Sequence, residues 1–352
     1  MSRSHRAATG WNARAREKHI VSIEGVLRST ALCRRLGIEY PIIQAGMGQV
    51  AYGRLAAAVS SAGGLGVIGA GYLTGDELRR EIRVIRETTD KPFGVDILFA
   101  KVSGDDETSI NYTRQVEDQI AVSLEERVPV LISGLGNPLG VIKEAHERGM
   151  TVMSVVGNAR QARALQELGV DMLIASGGDG GGHVGRVGTA VLVPSVVDSV
   201  SIPVIAGGGL ADGRGLLAAL ALGAQGVWMG TRFIASDEAR AHENYKSMIV
   251  QRDEEGTVIS RAHSGKTVRM LWNKFTQYWA ENQDKILPYP QQLQKVGLPA
   301  TILGRIEGDV ENGVLPAGQS IGLIRSVKPA GQIVRDIFNE ACQAYAKQLA
   351  GA

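Results

Sequence analysis

The chain is almost without cysteine. Its two, Cys33 and Cys342, lie far apart with no metal-ligand spacing around them, so disulfide scaffolds and zinc ribbons are excluded and both thiols read as small buried apolar groups. Charge of one sign is lacking as well. The 38 Lys and Arg oppose 36 Asp and Glu, a formal +2 that offers nothing to nucleic acid. Long hydrophobic runs are missing too, because Gly, Pro or a charge interrupts each one before the ~18 residues that a membrane span needs. No membrane partner is expected, and the expected location is cytoplasmic. No G-x-G-x-x-G with an acidic residue about 20 positions on follows the first strand-like run, which disfavours a Rossmann dinucleotide site. P-loop, H-E-x-x-H and G-x-S-x-G patterns are also missing, and no metal is expected.

What the chain does have is glycine, 45 residues in 352, and an apolar content of 44% that can fill a large core. From residue 41 onward, short apolar runs alternate with helical patterns. The strand candidates are 41–47, 64–70, 92–99, 129–134, 151–157, 172–177, 203–208 and 226–233. Most are continuously apolar, as strands buried on both faces are. Eight such units predict the α/β class and a closed TIM (β/α)8 barrel. Helical spacing over 53–62, 75–89, 158–168 and 213–222 supplies the intervening layer, with Gly63, Gly149, Gly169 and Gly223 reading as left-handed caps.

Three segments are expected around this rhythm. Residues 1–24 read as a disordered basic tail, carrying Arg3, Arg6, Arg14, Arg16 and Lys18 without the apolar stripe of a transit peptide. The barrel takes 25–233 and 319–350, the latter through Ile333, Val334, Ile337, Phe338 and Tyr345. Between them, 234–318 is polar, partly helical and too long for a loop. It predicts an inserted subdomain after strand 8, on the substrate side of the barrel mouth.

Glycine gathers at the predicted strand ends. Gly207-Gly208-Gly209 precedes Ala211-Asp212-Gly213 and a helix, and Met229-Gly230-Thr231 ends the eighth strand. Loops after strands 7 and 8 are the usual phosphate site of this barrel, where bare backbone N–H groups approach an anion. The alternative is a pair of turns without a ligand. Strand 6 ends in Gly177-Gly178-Asp179-Gly180-Gly181-Gly182-His183, a run suited to lie flat against a planar cofactor and project one titratable group. His183 is the candidate catalytic acid, base or substrate-orienting donor; the other histidines read as surface or tail. Ala45, Gly46 and Met47 end strand 1, although Met47 alone fits core filler equally well. Asp96 on strand 3 and Gly134 on strand 4 converge on the same mouth, with Asp96 also readable as a loop cap.

These residues resemble the nitronate monooxygenase (2-nitropropane dioxygenase) family, which includes FMN-dependent enoyl-ACP reductases. The likeness is carried by Pro41-Ile42-Ile43-Gln44-Ala45-Gly46-Met47, Lys91-Pro92-Phe93-Gly94-Val95-Asp96, Gly180-Gly181-Gly182-His183, Pro203-Val204-Ile205-Ala206-Gly207-Gly208-Gly209 and Gly230-Thr231-Arg232-Phe233. It implies non-covalent FMN, its phosphate on Gly208, Gly209, Gly230 and Thr231, and its ring near Ala45, Gly46 and Met47 beside Gly181 and Gly182. His183 would reach the substrate. Two positions depart from the common pattern: Asp96 stands where asparagine is frequent, and Asp179-Gly180 replaces Glu-Ala. The resemblance implies oxidation of alkyl nitronates with O2 to a carbonyl compound and nitrite. Gly134-Leu135-Gly136-Asn137-Pro138 and Ala241-His242-Glu243-Asn244-Tyr245-Lys246 look more like the reductase branch, which reduces enoyl thioesters with NAD(P)H. In that alternative Arg232, Arg269 and Lys274 are phosphate contacts for a pantetheine arm or solvated surface. A third reading is a phosphometabolite-binding barrel without turnover. The expected partner is a small molecule, and a homodimer is one open expectation for the assembly.

Overall fold

A computed structural model of the chain describes residues 22–99 and 113–350. The basic tail expected over 1–24 lies outside the described residues as far as 21. Ser22 already caps α1 (Ile23–Arg28), and Thr30 caps α2 (Ala31–Leu36). The barrel then runs through β1 (Ile42–Gln44), α3 (Gly53–Ser61), β2 (Gly66–Gly69), α4 (Gly75–Thr88), β3 (Phe93–Phe99), α5 (Arg114–Glu125), β4 (Val130–Gly136) and α6 (Ile142–Glu147). It continues with β5 (Thr151–Val156), α7 (Ala159–Glu167), β6 (Met172–Ser176), β7 (Gly182–His183), α8 (Thr189–Val197), β8 (Val204–Gly207), α9 (Gly213–Ala221) and β9 (Val227–Met229). Side-chain caps start several helices where expected: Thr74 and Glu77 form a reciprocal box at α4, Asn158 caps α7, and Asp212 caps α9.

Eight parallel strands join in the order β1-β9-β8-β6-β5-β4-β3-β2, which is the predicted TIM-like barrel. Between its two ends the ladder is thin, a single parallel bridge of Ile43 and Leu65. There the side chain of Gln44 does the work of a strand residue. Val67 N–H donates to Gln44 Oε1 at 3.0 Å, and Gln44 Nε2 donates to the Val67 carbonyl at 3.1 Å. Gln44 is fully buried. Below it, Ser60 Oγ accepts from Gly66 N–H and donates to the Pro92 carbonyl, so a helix side chain completes the same seam.

Side-chain alternation separates two cores. Ile43, Val67, Val130, Ile132, Met153, Met172, Ile174, Ile205 and Trp228 fill the lumen, while Ile42, Ile68, Leu131, Val152, Leu173 and Val204 face the helices. Leu32, Cys33 and Leu36 of α2 join the lumen cluster and plug the end opposite the strand C-termini. Strand β3 is the exception in the lumen, since its inward positions are Gly94 and Asp96.

After β9 the chain departs from the expected strand over 226–233. Gly230 turns it, and Thr231–Ile234 forms a short helix, α10. Residues beyond form α11 (Glu243–Gln251), β10 (Thr257–Ser260), β11 (Val268–Leu271), α12 (Lys274–Glu281) and α13 (Leu298–Arg305). The helices fit the partly helical expectation; the β-hairpin was not anticipated. Strand β11 pairs antiparallel with β10 on one side and with β7 on the other, so the small sheet reaches from the insertion into the glycine loop. A 3-10 turn over Gln319–Leu323 precedes α14 (Ala330–Ala350), which packs against α9 and α3 as the last helix of the outer ring.

Replacing Gln44 with leucine keeps the volume but strands one buried N–H and one buried carbonyl of Val67. Each such group costs about 1–3 kcal/mol, so Gln44→Leu is expected to lower unfolding free energy by roughly 2–6 kcal/mol in urea titration. A loss below about 1 kcal/mol would show that the seam holds without the amide.

Candidate active site

A cavity of about 240 Å³ lies over the C-terminal ends of the barrel strands. Its floor is the top inward layer of the lumen: Ala45, Asp96, Gly134, Val155, Ser176 and Trp228. All twelve residues singled out in the sequence border this one space, namely Ala45, Gly46, Met47, Asp96, Gly134, Gly181, Gly182, His183, Gly208, Gly209, Gly230 and Thr231.

Asp96 is an inward strand residue and not a loop cap. It is wedged between two glycines: a Cβ on Gly46 would come within 2.4 Å of Asp96 Cβ, and one on Gly134 within 2.3 Å of its Oδ1. Neither position tolerates a side chain. Oδ1 is buried without a hydrogen-bond partner. Burial pushes the carboxyl well above the usual carboxylate range, against a smaller opposing pull from the Gly134 backbone N–H.

Two loops form the glycine-rich wall. Gly208 takes φ +98°, and a Cβ there would meet the Gly177 carbonyl oxygen at 2.8 Å, so both conformation and space demand glycine. The N–H groups of Gly208, Gly209, Gly230 and Thr231 find no acceptor among the described residues. Thr231 Oγ1 accepts from Gly318 N–H at 2.9 Å, which leaves its own proton free to donate. Clustered unused donors of this kind suit a phosphate or another anion. Together with the orphan Asp96 oxygen, they fit a ligand with an anionic end and a polar ring, as FMN has.

The loop carrying His183 is firmly held despite its glycines. Asp179 Oδ2 accepts from Thr189 N–H at 2.7 Å, its carbonyl accepts from Gln319 N–H at 3.0 Å, and Arg269 Nε donates to the Gly178 carbonyl at 3.0 Å. Through β7, His183 pairs with Val268 of the hairpin. Its imidazole Nε2 lies 2.9 Å from Ser264 Oγ. Burial, followed by the positive charges of Lys266 and Arg305, lowers its pKa to about 4, so the ring is neutral at physiological pH.

The insertion supplies the roof with Tyr245, His263, Val268 and Arg305, none of which the sequence pointed to as site residues. His263 corrects the surface reading of the remaining histidines: it is 4% exposed, its ring centre is 6.0 Å from that of His183, and Nδ1 has no partner. Burial and then Arg305 depress it to about 3. Its neighbours Arg261 and Lys266 give it the look of a surface residue, and no local signal marks it as buried. His146 is exposed as expected, and His242 caps α11. The three cations considered for a pantetheine arm are engaged elsewhere. Arg232 is buried and donates to the Ala235 and Ser326 carbonyls, Arg269 holds Gly178, and Lys274 stands exposed near Glu311.

Compared with known proteins, the chain matches the nitronate monooxygenase family over residues 29–340. A probable nitronate monooxygenase of Staphylococcus saprophyticus is 38% identical over 301 residues, 76% of this chain and 85% of the relative. A Mycobacterium tuberculosis protein named (3aS,4S,5R,7aS)-5-hydroxy-7a-methyl-1-oxo-octahydro-1H-indene-4-carboxyl-CoA dehydrogenase is 32% identical over 351 residues, 89% of this chain and 96% of that one. The structure of FabK from Thermotoga maritima superposes with a TM-score of 0.82 at 42% identity, covering 92% of this chain and 99% of the other.

Two measurements check the electrostatics. In 15N-resolved NMR, His183 and His263 are expected to stay neutral from pH 8 down to 5.5; titration of either near 6.5 would contradict the burial seen here. For Asp96 the folded pKa lies above the unfolded one, so its drain on stability grows as pH rises above the ordinary ~3.9. Asp96→Asn is therefore expected to raise stability at pH 8 by about 1–3 kcal/mol and by less at pH 4. Equal effects at both pH values would remove the carboxyl as the cause.

Proposed function

The chain belongs to the nitronate monooxygenase family of flavin oxidoreductases, and from that premise we propose that it is an FMN-dependent oxygenase of small alkyl nitronates. It would consume O2 and yield a carbonyl compound and nitrite. The observation that carries this reading is His183: a neutral imidazole, anchored through Nε2, bordering a cavity that is also lined by glycines with unused N–H donors.

Bound FMN would supply the electron transfer, held at its phosphate by the loops of Gly208, Gly209, Gly230 and Thr231. The chain's own groups bind, orient and place protons. Ser264 Oγ already accepts from Lys266 N–H at 3.4 Å, so its hydroxyl proton is available to His183 Nε2. The opposite ring nitrogen, Nδ1, then carries the N–H. That tautomer donates a hydrogen bond to a nitronate oxygen. The other tautomer, with Nε2–H donating to Ser264, leaves Nδ1 as a base for the carbon acid of a neutral nitroalkane. Asp96 and Gly134 under the ring site, and Ala45, Gly46 and Met47 beside it, form the surface on which the flavin would rest.

A second reading is supported by the 42% identity to FabK, an enoyl-ACP reductase, and by the acyl-CoA relative. In it bound FMN would pass reducing equivalents from NAD(P)H to an enoyl thioester. The two readings part in one anaerobic experiment. FMN-loaded protein is mixed in turn with NADH, NADPH and propionate 3-nitronate, and the flavin spectrum is followed. Response to the nitronate alone, with nitrite release in air, supports the oxygenase; rapid bleaching by a pyridine nucleotide supports the reductase. Neither nitrite nor O2 uptake with any alkyl nitronate ends the first reading. His183→Asn is expected to lower kcat/KM by roughly 100-fold or more, the scale of a lost proton-transfer group, while FMN content is kept.

A further inference from the structure

Arg305 ends α13 and borders the cavity, 6% exposed. Its Nη1 donates to the Gly48 carbonyl at 2.8 Å and its Nε to the Val314 carbonyl at 3.4 Å. Both acceptors are neutral. Among the described residues no carboxylate pairs with this guanidinium, and Nη2 has no acceptor. Lys246, 3% exposed, has Glu243 at 2.9 Å, whereas Arg232, also buried, bonds only the Ala235 and Ser326 carbonyls; Arg305 differs from Arg232 in that it borders the cavity. A buried charge without a counter-charge is costly to keep, and here it faces a space where a ligand enters. The cavity's one carboxyl belongs to Asp96 on the floor, and its two imidazoles are neutral. The roof therefore presents one permanent positive charge and asks for an anion from outside the protein.

We propose that Arg305 is the docking point for a planar two-oxygen anion of the substrate. A guanidinium offers parallel N–H donors that match such a group, as a compact ammonium does not. Nitronate and carboxylate share that shape and charge. The assignment rests on the nitronate reading for the identity of the substrate, but the anion site itself is tested without turnover.

The probes are inert. FMN-loaded protein is titrated calorimetrically with isobutyrate, the carboxylate isostere of a branched alkyl nitronate, with uncharged isobutyramide, and with succinate and butyrate. Wild type is expected to bind an anion at least tenfold more tightly than isobutyramide, Arg305→Gln to lose that preference, and Arg305→Lys to keep part of it. Isobutyrate preference lost in Arg305→Gln identifies the reacting nitronate as the bound group. A succinate-over-butyrate preference lost there instead identifies a second, distal carboxylate. Equal binding of anion and amide by wild type, no binding of any probe, or an unchanged preference in Arg305→Gln overturns the proposal. So does loss of FMN from Arg305→Gln and Arg305→Lys alike, which would assign the side chain to the cofactor or the fold. Normal anion binding with no nitrite formed would sink only the nitronate reading.

Discussion

The barrel closes through a side chain. Where β1 meets β2 the backbone ladder is too short to seal the sheet, and the amide of Gln44 pairs with Val67 in place of a neighbouring residue. That closure sets where β1 ends, and the end of β1 carries Ala45, Gly46 and Met47 into the cavity. Gly46 in turn presses on Asp96, and Asp96 on Gly134. The floor of the site is thus a direct continuation of the seam, packed so tightly that neither glycine tolerates a methyl group.

Polar groups on that floor and in the roof are kept in unusual states by the same cause, removal from water. A carboxyl is driven toward its neutral form, two imidazoles are held unprotonated, and the Arg305 guanidinium bonds carbonyls and, among the described residues, no carboxylate. Desolvation makes each of these groups responsive to whatever enters. It also explains why the stability of the fold and the chemistry of the cavity pull in different directions at Asp96, where an unmet oxygen is retained in a mostly apolar lumen.

How much of this was legible in the sequence follows from how far each feature depends on distant parts of the chain. Doubly buried strands such as Ile205 and its neighbours write their apolar runs locally, and Gly63, Gly149, Gly169 and Gly223 do adopt the positive φ expected of helix caps. Strand-end glycines and the lone His183 among them were visible for the same reason. Arg305, His263 and Ser264 were not, because their direction is set by how the insertion folds back over the barrel, and nothing within a few residues of them encodes that. The hairpin was missed in a polar region where Val258, Met270 and Leu271 alternate too briefly to stand out. Lumen-facing Asp96 could be placed on a strand from its neighbours, but the burial of its carboxyl between Gly46 and Gly134 is a property of the closed barrel.

The pairing of β7 with β11 ties His183 to the roof by main-chain hydrogen bonds, with Ser264 of the same segment on its ring. Entry and exit of small molecules therefore cannot be handled by swinging the insertion away as an independent flap, because its hairpin would carry the imidazole with it. An enzyme built this way is assembled only while it is shut. Passage around the edges of the hairpin leaves that pairing intact.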